Sequence, residues 1–132
     1  MTRNMDTIRT LLLRLEALPI PTGAPFVLID GNSEGVKVLA DEDPRDLTYH
    51  LGLLKDKGLI TSPGTNNMDS RIRFSGLSWD GYDFLDSVRD DKIWLKTKGA
   101  VERAGGFTLD LIIDLAKGFL KKQIENQTGI KL

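Results

Sequence analysis

The sequence has no cysteine, one histidine and no long apolar run. Each gap excludes a kind of chemistry. Without cysteine there is no disulfide, no thiolate metal site and no cysteine nucleophile. A lone histidine, His50, rules out a histidine-rich metal cage and weakens any Ser–His–Asp arrangement. No run reaches the roughly 18 apolar residues that a membrane-spanning helix needs. The opening MTRNMDTIRT lacks the apolar centre of a signal peptide and predicts a cytoplasmic protein. The net charge of −1 gives no global pull toward nucleic acid or an anionic membrane.

What is present fits one globular domain. The 132 residues can bury one modest core, and the charged fraction of 28% is ordinary. The charge is unevenly placed. Residues 1–43 and 76–91 carry an acidic excess, while residues 44–75 and 92–132 carry a basic one. Such a split permits local phosphate binding on a nearly neutral protein.

The stretch Asp43–Ile60, DPRDLTYHLGLLKDKGLI, organises the rest. Asp43 suits an N-cap, Pro44 the first helical position and Gly58 the left-handed residue after the last turn. Leu47, Leu51 and Leu54 form a core stripe. Arg45, Thr48, Tyr49, Gly52, Lys55 and Asp56 lie on the opposite side. A mid-helix glycine costs roughly 0.5–1 kcal/mol relative to alanine, so Gly52 is either a tolerated surface residue or a place of close approach.

Before that helix, Asn4 caps a helix to about Leu18, with Met5, Ile8, Leu12 and Leu15 inward and Leu11 and Leu18 beside them. Pro19 and Pro21 end it. Arg9 and Arg14 fall off the stripe and read as solvated charges. Phe26–Ile29 is a short strand. Residues 36–40 fit either a hairpin partner for it or a short helix, with the hairpin favoured. After Gly58, a strand at Leu59–Thr61, a polar turn and a return strand at Arg71–Phe74 predict a wing with its tip at residues 62–70.

Three helices are predicted next. Ser78 caps one to about Arg89, with Tyr82, Leu85 and Val88 inward and Trp79 and Phe84 flanking. Trp79, Tyr82, Phe84 and Trp94 read as core, with about 3–5 kcal/mol expected for Trp79→Ala. Asp90 or Asp91 caps the next, which stops at Gly105–Gly106. Thr108 caps the last, whose Leu109, Ile112, Ile113, Ala116, Phe119, Leu120 and Ile124 share a face. That face packs either on its own domain or on a second copy. The fold class is therefore mainly α with a small antiparallel β wing. It is a winged helix-turn-helix over residues 1–77, three C-terminal helices over 78–126 and a frayed tail over 127–132, all in a single domain.

Two resemblances add to this. Leu47-Thr48-x-His50-Leu51-x-x-Leu54-x-x-x-Gly58-Leu59-Ile60 resembles the recognition helix and first wing strand of arsenical-repressor-type winged-helix regulators. The cysteine sensors many of those regulators use have no counterpart here. Over nearly its whole length the chain resembles the bacterial and prophage family known as domain of unknown function 2513. Arg3-x-Met5-Asp6-x-Ile8-Arg9, Tyr49-His50-Leu51-x-Leu53-Leu54 and Leu77-Ser78-Trp79-Asp80-Gly81-Tyr82-Asp83-Phe84-Leu85-Asp86 carry that likeness. The family usually has Thr where Ser78 stands and His where Tyr82 stands. The likeness implies the fold and a bacterial or prophage setting, and no activity.

The leading expectation is a non-enzymatic DNA-binding or regulatory protein with no cofactor and no metal. Arg45, Thr48, Tyr49 and His50 would meet bases and phosphates, Lys55 the backbone, and Arg71 and Arg73 the flanking phosphates. Asp46 and Asp56 oppose this. For His50, packing at the helix edge against a carbonyl is the competing reading. Asp83, Asp86 and Asp90 share a helix face but lack converging partners, so no enzyme is predicted. The partners expected are double-stranded DNA, a second copy through the helix of residues 108–124, or another protein; no membrane is expected.

Overall fold

The computed structural model describes residues 1–64 and 71–132, which contain five helices and four short strands. They fall into two compact units, Met1–Tyr82 and Asp83–Leu132. The predicted wing tip lies mostly at residues 65–70, outside the described residues.

The first unit begins with α1 (Met5–Glu16). The Asn4 side chain accepts from the amides of Asp6 and Thr7, which satisfies two of the unpaired donors at the helix start. Met5, Ile8, Leu11, Leu12 and Leu15 are buried, as their spacing predicts. Each fully buried leucine contributes about 1.5–3 kcal/mol over an exposed one. This face packs on α2 (Pro44–Lys57) and on β4 (Gly76–Leu77). Asp43 caps α2, Pro44 opens it, and Gly58 closes it at φ 78°. Leu47, His50, Leu51 and Leu54 are its buried side.

The strands pair differently from the predicted wing. β2 (Ile60–Thr61) follows α2, but its partner is β4, with Ile60 opposite Leu77. The return strand β3 (Ile72–Phe74) pairs with β1 (Val27–Ile29), with Val27 opposite Phe74 and Ile29 opposite Ile72. Both pairs are antiparallel. Ile29, Ile72 and Phe74 are buried, while Arg73 and Leu28 point the other way. Burial of this alternating apolar face sets the register.

Residues 36–40 are neither the strand nor the helix considered for them. Val36 and Lys37 turn back onto the Ser33 carbonyl. The amides of Val38 and Leu39 donate to the Glu42 carboxylate instead of to a neighbouring strand. Val36 itself is fully buried. Arg14, expected as a solvated charge, reaches this loop. Its Nη1 donates to the Val36 carbonyl at 2.7 Å and to both Glu42 oxygens, at 2.9 and 3.0 Å. All of residues 30–43 thus form turns and extended chain, and the helix that a helix-turn-helix places before its recognition helix is not in that stretch.

The division between the units falls within α3 (Trp79–Val88). Gly81 determines how this helix is rotated. A Cβ there would meet the Leu59 carbonyl oxygen at 1.9 Å, so the helix backbone lies directly against that group. Gly81 therefore faces inward, and Phe84, Leu85 and Val88, at i+3, i+4 and i+7, are buried with it. Trp79 and Tyr82 are turned out, at 80% and 44% exposure. This corrects the expectation that both belong to the core, and with it the large cost expected for Trp79→Ala.

The second unit contains α4 (Asp91–Ala104) and α5 (Leu109–Thr128), which pack on each other. Asp90 caps α4 through the amides of Lys92 and Ile93, and Thr108 caps α5. Ile93, Trp94 and Thr97 are the buried residues of α4, so Trp94 is core as predicted. Only Ile112 and Ala116 of α5 are fully buried. The helix holds through Thr128, past the point where fraying is expected, because Gly129 adopts the left-handed cap and donates to Glu125.

Candidate nucleic-acid interface

The outward side of α2 is one stripe. Arg45, Tyr49, Gly52 and Asp56 recur at i, i+4, i+7 and i+11, opposite the buried leucines. The Arg45 side chain is 86% exposed, and its Nε stands 3.8 Å from Asp43 Oδ1, a loose pair worth little in water. Tyr49 is half-buried and sets its ring edge-on to His50, centroids 5.2 Å apart. Among the described residues nothing lies within 4 Å of a Cβ built on Gly52, so their packing does not demand a glycine there. Lys55 is half-buried beside the stripe.

Two of the seven predicted residues serve the fold. The Thr48 hydroxyl donates to the Pro44 carbonyl and accepts from the Gly31 amide, both at 2.8 Å. Gly31 is pressed against the same turn: a Cβ there would meet the Pro44 oxygen at 1.8 Å. Thr48 thus clips the loop after β1 onto the start of α2. His50 is fully buried. The Asn4 amide donates to its Nε2 at 2.9 Å, which requires that nitrogen to be the acceptor. Nδ1 therefore carries the hydrogen and donates to the Asp46 carbonyl at 2.8 Å. The ring is spent joining the cap of α1 to the body of α2 and reaches no outside group.

Arg73 sits on β3, half-buried, with its guanidinium 5.4 Å from the Phe26 ring centroid and against Gly64. Arg71, one residue before β3, is exposed. Two of the three aspartates read as a shared face have other work: Asp86 pairs with Arg89 at 2.8 Å, and Asp90 is the α4 cap. The amides of Ile93 and Lys92 and the Gln123 side chain hold the Asp90 carboxyl below its ordinary value, against a smaller opposing push from desolvation. Among the described residues no group of three or more His, Asp or Glu is placed to hold a metal ion, and no helix is long and apolar enough to cross a membrane.

The stretch Leu77–Asp86 is built around one hydroxyl. The Ser78 Oγ donates to the Gly58 carbonyl, at the end of α2, and accepts from the Gly81 amide at 3.0 Å. The Ser78 amide donates to Leu59 and its carbonyl accepts from Tyr82. One residue therefore closes α2 and opens α3, with Gly81 flush on Leu59 beside it. This is the motif on which the family likeness rests most, and the profile of the family described as "Hypothetical protein (DUF2513)" matches residues 2–107. The chain belongs to the DUF2513 family. A relative from Haemophilus influenzae strain Rd, described as an uncharacterized protein, is 30% identical to this DUF2513 chain over 118 residues, covering 89% of the chain and 90% of the relative. No solved structure matches it. The Ser78 geometry accounts for the one departure noted at that position. The threonine expected there from the resemblance would carry the same hydroxyl, so serine keeps both bonds.

Sequence reasoning missed two features of this surface. The outward rotation of Trp79 depends on the Gly81–Leu59 contact, which no periodicity reports. The Arg14–Glu42 pair joins residues 28 apart in sequence. The signal that existed was local: an acidic residue directly before an N-cap, after two amides that lack strand partners.

Proposed function

We propose that this DUF2513 protein is a small, non-enzymatic DNA-binding regulator whose first unit is a winged-helix variant. The order α1, β1, α2, β2, followed by a return segment that pairs with both β1 and β2, supports that layout. The turns of residues 30–43 replace the first helix of a helix-turn-helix. The outward stripe of α2 carries the reading. Its N-terminal half offers Arg45 and Tyr49, and Gly52 leaves room for a close backbone. Arg45 and Tyr49 would meet the major groove, with Lys55 on phosphate. Arg71 and Arg73, where the chain returns from the wing, would hold flanking phosphates. Thr48 and His50 are no longer part of the set. Asp56 on the same stripe limits affinity.

The test is fluorescence anisotropy with random-sequence duplex at about 50 and about 200 mM salt, the range over which phosphate contacts weaken most. Binding should fall steeply with salt, and Arg45→Ala with Arg73→Ala should flatten the salt slope by about two. An unchanged slope in that double variant sinks this binding mode.

A second reading is an adaptor that holds another protein and no DNA. The exposure of Trp79, with Tyr82 one turn on, favours it, because tryptophan and tyrosine anchor many protein interfaces. The absence of duplex binding at the lower salt would leave this reading standing.

A further inference from the structure

The outer side of α5 is a second apolar stripe, separate from the face that packs on α4. Leu111 is 55% exposed and Leu115 36%, with Phe119 half-buried beside them. Together with Asp114, Gly118 and Lys122 they line one shallow groove. The helix is 20 residues, about 30 Å long, so the groove covers roughly half of its length. Among the described residues nothing lies within 4 Å of a Cβ built on Gly118, so their packing does not require a glycine at that mid-helix position.

We propose that this groove receives the α5 helix of a second copy, antiparallel, with the two helices crossing at Gly118. The charges decide the orientation. Asp114 and Lys122 stand four residues on either side of Gly118. A two-fold axis through Gly118 therefore sets Asp114 of each copy opposite Lys122 of the other, and the pairing is made twice. A parallel arrangement would stack aspartate on aspartate and lysine on lysine. In the antiparallel register Leu115 meets the facing Phe119, and Leu111 lies along the aliphatic stem of the facing Lys122. Gly118 lets the two backbones approach at the crossing. The stripe thus contains its own complement, as a two-fold interface must. The face expected from sequence for such pairing shares Phe119 with this stripe, but its Ile112 and Ala116 are already buried.

Sedimentation equilibrium of the full chain, up to about 1 mM, tests this. The wild type should show a monomer–dimer equilibrium. Asp114→Lys alone, and Lys122→Asp alone, should each weaken dimerisation about tenfold. The double variant, which exchanges the two charges, should restore it to within about threefold of wild type. Circular dichroism melting of each variant confirms that the helices persist. Monomer at every concentration overturns the proposal. So do single variants that dimerise like wild type, a double variant no better than the singles, or binding of α5 to anionic vesicles without any dimer.

Discussion

His50 shows how much one side chain can hold. Its Nε2 takes the Asn4 amide and its Nδ1 gives to the Asp46 carbonyl, so a single ring joins two helices inside the core. His50→Ala should leave that amide without its acceptor and open a cavity, costing about 2–5 kcal/mol in chemical denaturation. Trp79 is the opposite case. With 80% of its surface exposed, Trp79→Ala should change stability by no more than about 0.5 kcal/mol, read in the same experiment. The stripe of α2 was legible in part at this scale. The 3.6-residue period puts Arg45 and Tyr49 outward without ambiguity. Thr48 lies at a flank, where period alone cannot choose, whereas His50 completes the i, i+3, i+4, i+7 face of Leu47, Leu51 and Leu54. The real partners of Thr48 and His50, Gly31 and Asn4, are 17 and 46 residues away in sequence.

At the scale of elements, the helices were readable because their boundaries are chemical. Asn4, Asp43, Asp90 and Thr108 each accept from amides of the first turn, and Gly58 and Gly105 take the left-handed position. These are interactions within a few residues. Strand pairing was not readable, because β1 and its partner β3 lie far apart in sequence, with Ile29 opposite Ile72, and no local signal links them. The loop before α2 was misread for a related reason. Its amides are satisfied by a side chain, Glu42, and not by a ladder. Partial burial pushes the Glu42 carboxyl up, but the Leu39 amide, the Arg14 guanidinium and the Val38 amide outweigh it and hold the group below its ordinary 4.5. Asp90 is held below its ordinary 3.8. Both carboxyls take up protons less readily folded than unfolded. The stability they add is complete above those ordinary values and is lost as pH falls through the lower folded ones. Glu42→Gln should cost about 1–2 kcal/mol near neutral pH, and its thermal midpoint should fall less steeply on acidification than that of the wild type.

For the whole molecule, family membership and the mainly helical class could both be read from the sequence. The motif around Ser78 and Gly81 is local, and so is amphipathic periodicity. The rotation of α3 was not legible, because it is fixed by a backbone contact between Gly81 and Leu59. In the first unit two of the side-chain hydrogen bonds that fasten α2 join it to other helices, and they differ in how much chain they close. Ser78 to Gly58 spans 20 residues, whereas Asn4 to His50 spans 46. Each doubling of a closed loop costs about 0.6 kcal/mol more in chain entropy. The corner between α2 and α3 is therefore the cheaper of the two to close, by about 0.7 kcal/mol, and it is the buried face of α1, not its tether, that offsets the longer loop.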